Sequence, residues 1–263
     1  MTALGGGRLF DLEQPRHHAA PIHPAHQPPG YSYLLHRRHQ AGAPERRTGA
    51  SGVLITSEHA GTHIDALCHQ AEDMQLYGGI SAGGRVQTAF GFTELSAERL
   101  PAIVARGLLI DLVRHQGAPP EPSRWIGLEE VRAAADDQGV EPARGDVVLI
   151  RTGNGRNWGD PDLYLKGAGM AAAVSSWLAD VGVLAVGADN MAWDWTGEAD
   201  PELGFTLPGH VLLLVRAGVY IVENLMLEEL GEAGASNFTF VCLPLKIQGA
   251  TGSPVRPIAL VDA

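Results

Sequence analysis

The chain has 263 residues, 45% of them apolar and free of long polar runs, which suits one large folded domain over residues 1–263. A formal net charge of −11 disfavours nucleic acid or an anionic membrane as partner and leaves a small molecule as the expected substrate. Two cysteines, Cys68 and Cys242, are too few for a disulfide framework, so a reducing, cytoplasmic setting is expected; no apolar run reaches the roughly 18 residues of a membrane span, and Met1 to Arg8 shows no signal-peptide core.

Leu9 to Leu12 reads as a first short strand. Pro15 to Gly30 then holds five prolines and four histidines. Proline at this density resists helix, so residues 13–30 or thereabouts form an extended arm over the surface. His17, His18, His23 and His26 read as polar residues of that arm. Tyr31 to His36 looks like a strand running into Arg37 and Arg38, a solvated turn or a subunit contact. Gly52 to Thr56 reads as a buried strand.

The stretch after that strand, Ser57 to His69, organises the rest. His59, His63, Asp65 and His69 fall within eleven positions. Imidazoles and a carboxylate suit a borderline divalent ion such as Zn²⁺ or Mn²⁺. Gly61 lets the backbone turn so that His59 and His63 can face one point. The competing reading is a polar turn with its hydrogen bonds met. Cys68 fits a small buried residue better than a nucleophile or ligand.

Tyr77 to Gly84 is glycine-rich and reads as a flap or a plain surface loop. Strands are expected at Leu108–Leu112, Asp146–Arg151, Val183–Val186, Val219–Val222 and Phe238–Leu243. Helices are expected at Gly127–Ala135, Gly167–Asp180, Leu207–Ala217 and Leu225–Leu230. From Leu108 onward the two types alternate, giving a mixed α/β domain with a β-rich start.

Polar residues gather at strand ends: the 59–69 loop, Asp189 with Asn190, and Glu223 with Asn224. A carboxylate such as Glu223, closing an apolar run, needs a partner. His210 near a helix start could join it, or serve as a cap or core residue. Thr62, Asn190 and Asn224 either orient ligands or bond their own turns. Trp158, Trp193 and Trp195 follow these strands and line a substrate pocket, line a subunit interface, or pack in the core. No G-x-G-x-x-G, P-loop or Gly-x-Ser-x-Gly pattern is present.

His59-Ala-Gly-Thr-His63-Ile-Asp65, with His69 four residues on, resembles the H-x-G-T-H-x-D-x-x-x-H signature of the cyclase-like metal-dependent hydrolases, a family that includes kynurenine formamidase and isatin hydrolase. The resemblance extends to Arg151-Thr152-Gly153, Gly187–Asn190, His210 and Glu223-Asn224-Leu225. It implies a swivelling β/β/α fold with a central mixed, barrel-like sheet flanked by helices, and a homodimer or homotetramer. It also implies that His59, His63 and Asp65 hold one ion, that Asp65 bridges to a second held by His210 and Glu223 in the formamidase branch, and that His69 is the general acid/base. Isatin hydrolases look like one-metal Mn²⁺ enzymes, so one or two Zn or Mn ions are expected.

The expected activity is hydrolysis of an amide, formamide, cyclic amide or lactone of a small, aromatic or non-aromatic substrate by a metal-activated water. Arylformamidase action on N-formylkynurenine is a narrower reading. Here Ala66-Leu67-Cys68 and Gln70 replace the Pro and Phe usual in that branch, which changes the pocket wall. Lyase or cyclase chemistry with the same metal, and a non-catalytic structural metal, are the alternatives.

Overall fold

The computed structural model describes residues 6–262, so most of the Met1–Arg8 segment on which the signal-peptide expectation rests lies outside the described residues. Nine strands form one curled sheet. Its centre is four parallel strands, in the order Ile103–Asp111, Val147–Arg151, Ala185–Ala188 and Tyr220–Glu223. On one side Asn237–Cys242, Ile258–Val261 and Arg8–Asp11 add antiparallel. On the other, His63–Asp65 pairs antiparallel with Tyr220–Glu223, and Gly252–Pro254 pairs with His63–Asp65.

The continuous apolar runs of the parallel strands follow from burial on both faces. Alternate residues enter two separate cores. Leu109, Val147, Leu149 and Val222 join Phe10, Ile64 and Phe240 on one face. Ile110, Val148, Ile150 and Ile221 join Val131, Val174 and Leu178 on the other, supplied by the helices Leu128–Asp137 and Ala172–Val181. Among the described residues no helix is long and apolar enough to cross a membrane.

Four expectations change. Ser51–Thr56 is a strand, but it is not buried: it pairs only with Tyr31–Arg37, and Leu54 is 53% exposed. Among the described residues no helix or second sheet covers this ribbon, so an apolar run that looks like core stands in solvent. His63 and Asp65 consequently lie not in an open loop but on a strand of the main sheet, six residues further on. The helix placed at Gly167 begins at Ala172, because Gly169–Met170 pairs with Trp125–Ile126. Leu207–Ala217 is helical only from Pro208, and its second part, Val211–Ala217, is a π-helix. Leu225–Leu230 becomes helical only at Glu228, since Leu225 bridges to Glu13. The sequence reading missed the strands Gly252–Pro254 and Ile258–Val261 altogether.

Tyr77–Gly84 is a short helical turn followed by Ile80–Ser81, which pairs with Gln75–Leu76. The arm from Glu13 is irregular rather than extended throughout, with turns at 18–19 and 27–29 and one short 3-10 turn, Pro24–His26. Arg16 clamps it to the carbonyls of Ala60 and Thr62, and Pro15 accepts a hydrogen bond from Trp158 Nε1.

At the end of Val147–Arg151, the buried Arg151 guanidinium donates to Asp111 Oδ2 at 2.8 Å and to Glu228. Removing one partner of such a cluster leaves uncompensated buried charge, a loss of about 3–5 kcal/mol. Arg151→Met is therefore expected to destabilise by about that amount, read as a lower urea midpoint at unchanged slope.

Candidate metal centre

Register brings the site together. Glu223 and His63 are direct neighbours on adjacent antiparallel strands, although 160 positions apart in the chain. Gly252 sits opposite Asp65 on the other side. A Cβ at Gly252 would lie 2.7 Å from His59 Cε1, so glycine is what lets the His59 ring lie over this strand. Asn224, at φ +55°, turns the chain back after Glu223, and its carbonyl accepts from Thr62 Oγ1 at 2.6 Å. Asparagine tolerates that conformation better than most residues.

Asp65 is the centre. His59 Nδ1 lies 2.9 Å and His63 Nε2 3.5 Å from its Oδ1; His210 Nε2 lies 3.6 Å from its Oδ2. Glu223 completes the ring, with Oε2 3.3 Å from His63 Nε2 and Oε1 3.2 Å from His210 Nε2. All five residues are buried.

The hydrogen bonds on the far side of each imidazole fix its tautomer. Thr251 gives its hydroxyl proton to Glu58 at 2.7 Å, so the 2.8 Å contact from His59 Nε2 must carry the imidazole proton. That leaves the His59 Nδ1 lone pair facing Asp65. His63 Nδ1 donates to the Gly61 carbonyl at 2.8 Å, and His210 Nδ1 donates to Asp194 Oδ2 at 2.7 Å. Both Nε2 atoms therefore face the carboxylates. Among the described residues neither Asp65 oxygen has a hydrogen-bond partner, and nor does His59 Nδ1. Lone pairs facing lone pairs in a dry site are unfavourable unless a cation lies between them.

The charges agree. Burial opposes a proton on His63, yet Asp65 and Glu223 outweigh it and raise its pKa to about 10. Burial likewise opposes protonation of His210, and Asp194 and Glu223 raise it well above the usual imidazole range. Burial and Asp65 push Glu223 up, but His210 and His63 hold it down to about 2. Burial and then His69 push His59 down to about 3. Two buried carboxylates thus call for positive charge, and a divalent ion would supply it in place of the imidazole protons. The residue set fits such an ion: neutral imidazole nitrogens and carboxylate oxygens.

His69 is half-buried at the edge, its ring 4.1 Å from that of His59 and 6.0 Å from that of His210. Burial lowers its pKa. Its nitrogen and ligand atoms of Asp65 and His210 lie within 4.8 Å of one another.

The other singled-out residues divide. Asn224 Nδ2 donates to the Gly61 carbonyl that His63 also uses, so it touches the ligand's own partner. Thr62 joins the arm, through Gln14, to Asn224 and touches no ligand ring in these hydrogen bonds. Asn190 binds the carbonyls of Ala168 and Trp193. Trp193 is fully buried with its indole on Ser175, and its backbone N–H, not its ring, donates to Glu223. Trp158 is buried edge-on against Tyr164. Trp195, half-buried, packs edge-on against Trp125. Asp189 binds Thr152 and Gly153 rather than joining the site.

The sequence reading missed Glu58, Thr251 and Asp194. Asp194 lies between two tryptophans in Trp193-Asp194-Trp195, and a lone acid in so apolar a context was the available signal. It also missed His26, which stacks on His59 and was read as a surface residue of the arm.

Fold and site together define an α/β protein with a buried histidine–carboxylate centre for a divalent metal. The family model described as "Putative cyclase" matches residues 10–195, and the chain belongs to that family. It is 29% identical over 252 residues to the kynurenine formamidase of Delftia acidovorans, covering 95% of this chain and 96% of that one. To the kynurenine formamidase of Sphingopyxis alaskensis it is 30% identical over 254 residues, covering 95% and 97%. A solved structure described as a novel cyclase superposes with a TM-score of 0.84 at 28% identity, covering 96% of this chain and 86% of that one. Isatin hydrolase A from Ralstonia solanacearum shares the fold, with a TM-score of 0.75 at 21% identity over 98% and 93% of the two chains.

Partners on the far side of metal-bound histidines are worth about 10–100-fold in metal affinity. Thr251→Val and Asp194→Asn are each expected to weaken binding of Zn²⁺ or Mn²⁺ by that factor in a competition titration with a chelator. His63→Ala is expected to retain no stoichiometric metal by plasma mass spectrometry.

Proposed function

We propose that the chain is a metal-dependent hydrolase that opens a non-peptide C–N bond of a small substrate: an amide, formamide or cyclic amide, with a lactone as the oxygen analogue. The observation that carries this is Asp65, fully buried, facing three imidazole nitrogens, with the largely buried His69 beside them. The likeness to kynurenine formamidases along nearly the whole chain supports the reaction class. A divalent ion, Zn or Mn, held there would supply Lewis-acid chemistry and make a neighbouring water easier to deprotonate.

The chain's own residues supply the rest. Asp65 and Glu223 bring two negative charges that balance the ion. Asp65 turns Oδ1 to His59 and His63 and Oδ2 to His210, so these four residues with Glu223 would hold the one or two ions. His69 takes the proton from the attacking water and returns it to the leaving nitrogen; its pKa, lowered by burial, keeps it a base at neutral pH. A structural metal would use a closed four-ligand site, and a further imidazole, His69, beside the candidate ligands but not among the closest Asp65 contacts argues against that. N-formylkynurenine is the narrower substrate proposal, since formamidases dominate the curated relatives above; lyase or cyclase chemistry is separated by product mass, because hydrolysis adds water. A homodimer or homotetramer is part of the proposal, supported by the apolar, exposed ribbon that carries Leu34, Val53, Leu54 and Ile55.

His69→Ala is expected to keep its metal and lose about 10²–10⁴-fold in kcat. The measurement is turnover of a panel of formamides, lactams and lactones beside metal content. Loss of metal in this variant would make His69 a ligand instead.

A further inference from the structure

The arm carries an imidazole that belongs to none of the site's motifs. His26 ends the short turn Pro24–His26, which His23 caps by accepting from the Ala25 N–H. The His26 ring lies over that of His59, centroids 4.6 Å apart and planes 20° from parallel. The His69 ring is 5.9 Å away. One nitrogen from each of His26, His59 and His69 lies within 4.8 Å of the others.

Magnitudes decide what fits between His26 and His69. A flat ring held between them would need about 3.5 Å on each side, roughly 7 Å in all, more than the rings allow. Two hydrogen bonds of about 2.9 Å can meet on one atom when their far ends are 4.8 Å apart. The occupant is therefore a single polar atom. An ion held by all three imidazoles is disfavoured, because the nearly parallel His26 and His59 rings direct their lone pairs side by side rather than at one point. His59 Nδ1 is moreover already turned to Asp65 at 2.9 Å.

We propose that His26 is a catalytic residue that contacts the leaving nitrogen together with His69, and that it selects secondary amides and lactams over tertiary ones. This rests on the hydrolase reading. During cleavage the water oxygen joins the acyl carbon and the C–N bond breaks. The water's proton passes through His69 to the nitrogen lone pair. His26 accepts the hydrogen bond of the N–H that the nitrogen already carries. That N–H exists in a secondary amide and not in an N-alkylated one.

The test compares metal-loaded wild type with His26→Phe, which keeps a ring against His59, and with His26→Gln, whose amide oxygen can still accept. The substrates are formanilide and N-methylformanilide. The calorimetric ligands are acetanilide and N-methylacetanilide, read without turnover. In His26→Phe, metal content is expected to be unchanged. Turnover of formanilide and binding of acetanilide are expected to fall about tenfold, while both N-methyl compounds change less than threefold. His26→Gln is expected to recover most of the loss. Equal losses on both members of a pair, a preference untouched by His26→Phe, or loss of metal would each overturn the proposal. Hydrolysis of neither formanilide by wild type sinks the hydrolase reading and this role with it. Hydrolysis with a preference indifferent to His26 sinks the role alone.

Discussion

A carboxylate buried among imidazoles is the constraint on which this structure depends. Asp65 lies at the middle of the sheet's short antiparallel edge, sealed from solvent, with nitrogens of His59, His63 and His210 facing it. An ionised group in such a place is tolerable only with positive charge beside it. Either two imidazoles hold protons or a divalent ion replaces them. The folded chain without metal is thus poised toward the ion, and metal uptake displaces protons from the same nitrogens.

The surrounding architecture serves to keep those lone pairs aimed. Each of three imidazoles spends its other nitrogen on a partner that is near in the chain for His63, 16 residues off for His210 and far off for His59. Thr251, oriented by Glu58, holds His59 across 192 residues; Asp194 holds His210; the Gly61 carbonyl, shared with Asn224, holds His63. The parallel centre of the sheet provides the rigid frame, since both its faces are packed. The antiparallel addition of His63–Asp65 then sets His63 directly against Glu223 and places Asp65 two residues along the same strand. A one-residue slip in that pairing would turn both His63 and Asp65 away from the site.

Outside this frame the N-terminal arm is clamped over the site by Arg16 and Trp158. It leaves through Gly30, whose carbonyl accepts from the Ser57 N–H, into the exposed ribbon. The same few residues therefore link the outer wall of the centre, the turn that carries His59, and the apolar ribbon. His59 follows three residues beyond the pairing of Tyr31 with Thr56, so the ribbon ends close in the chain to the candidate metal centre.

Local chemistry was legible in the sequence. Ligand types spaced within eleven positions, glycine between them, and apolar runs alternating with helical periods are properties of neighbouring residues, and they identified the motif and most of the parallel strands. The strand-end pattern offered Glu223 and His210 as candidates, but only the family resemblance assigned them to the motif, because their approach to Asp65 depends on strand register. Burial was not legible: Gly52–Thr56 has the composition of a core strand and stands exposed, while Trp158 and Trp193 follow loops and are buried. An apolar run records the propensity to pair, and what covers it is decided by elements elsewhere in the chain. For the same reason Thr251 and His26 carried no signal by themselves, and Asp194 only that of an acid between two tryptophans. A threonine, an aspartate and a histidine in a proline-rich arm acquire their roles only when the sheet and the arm close around Asp65, so the sequence determined the ligand chemistry and the tertiary structure decided which atoms face it.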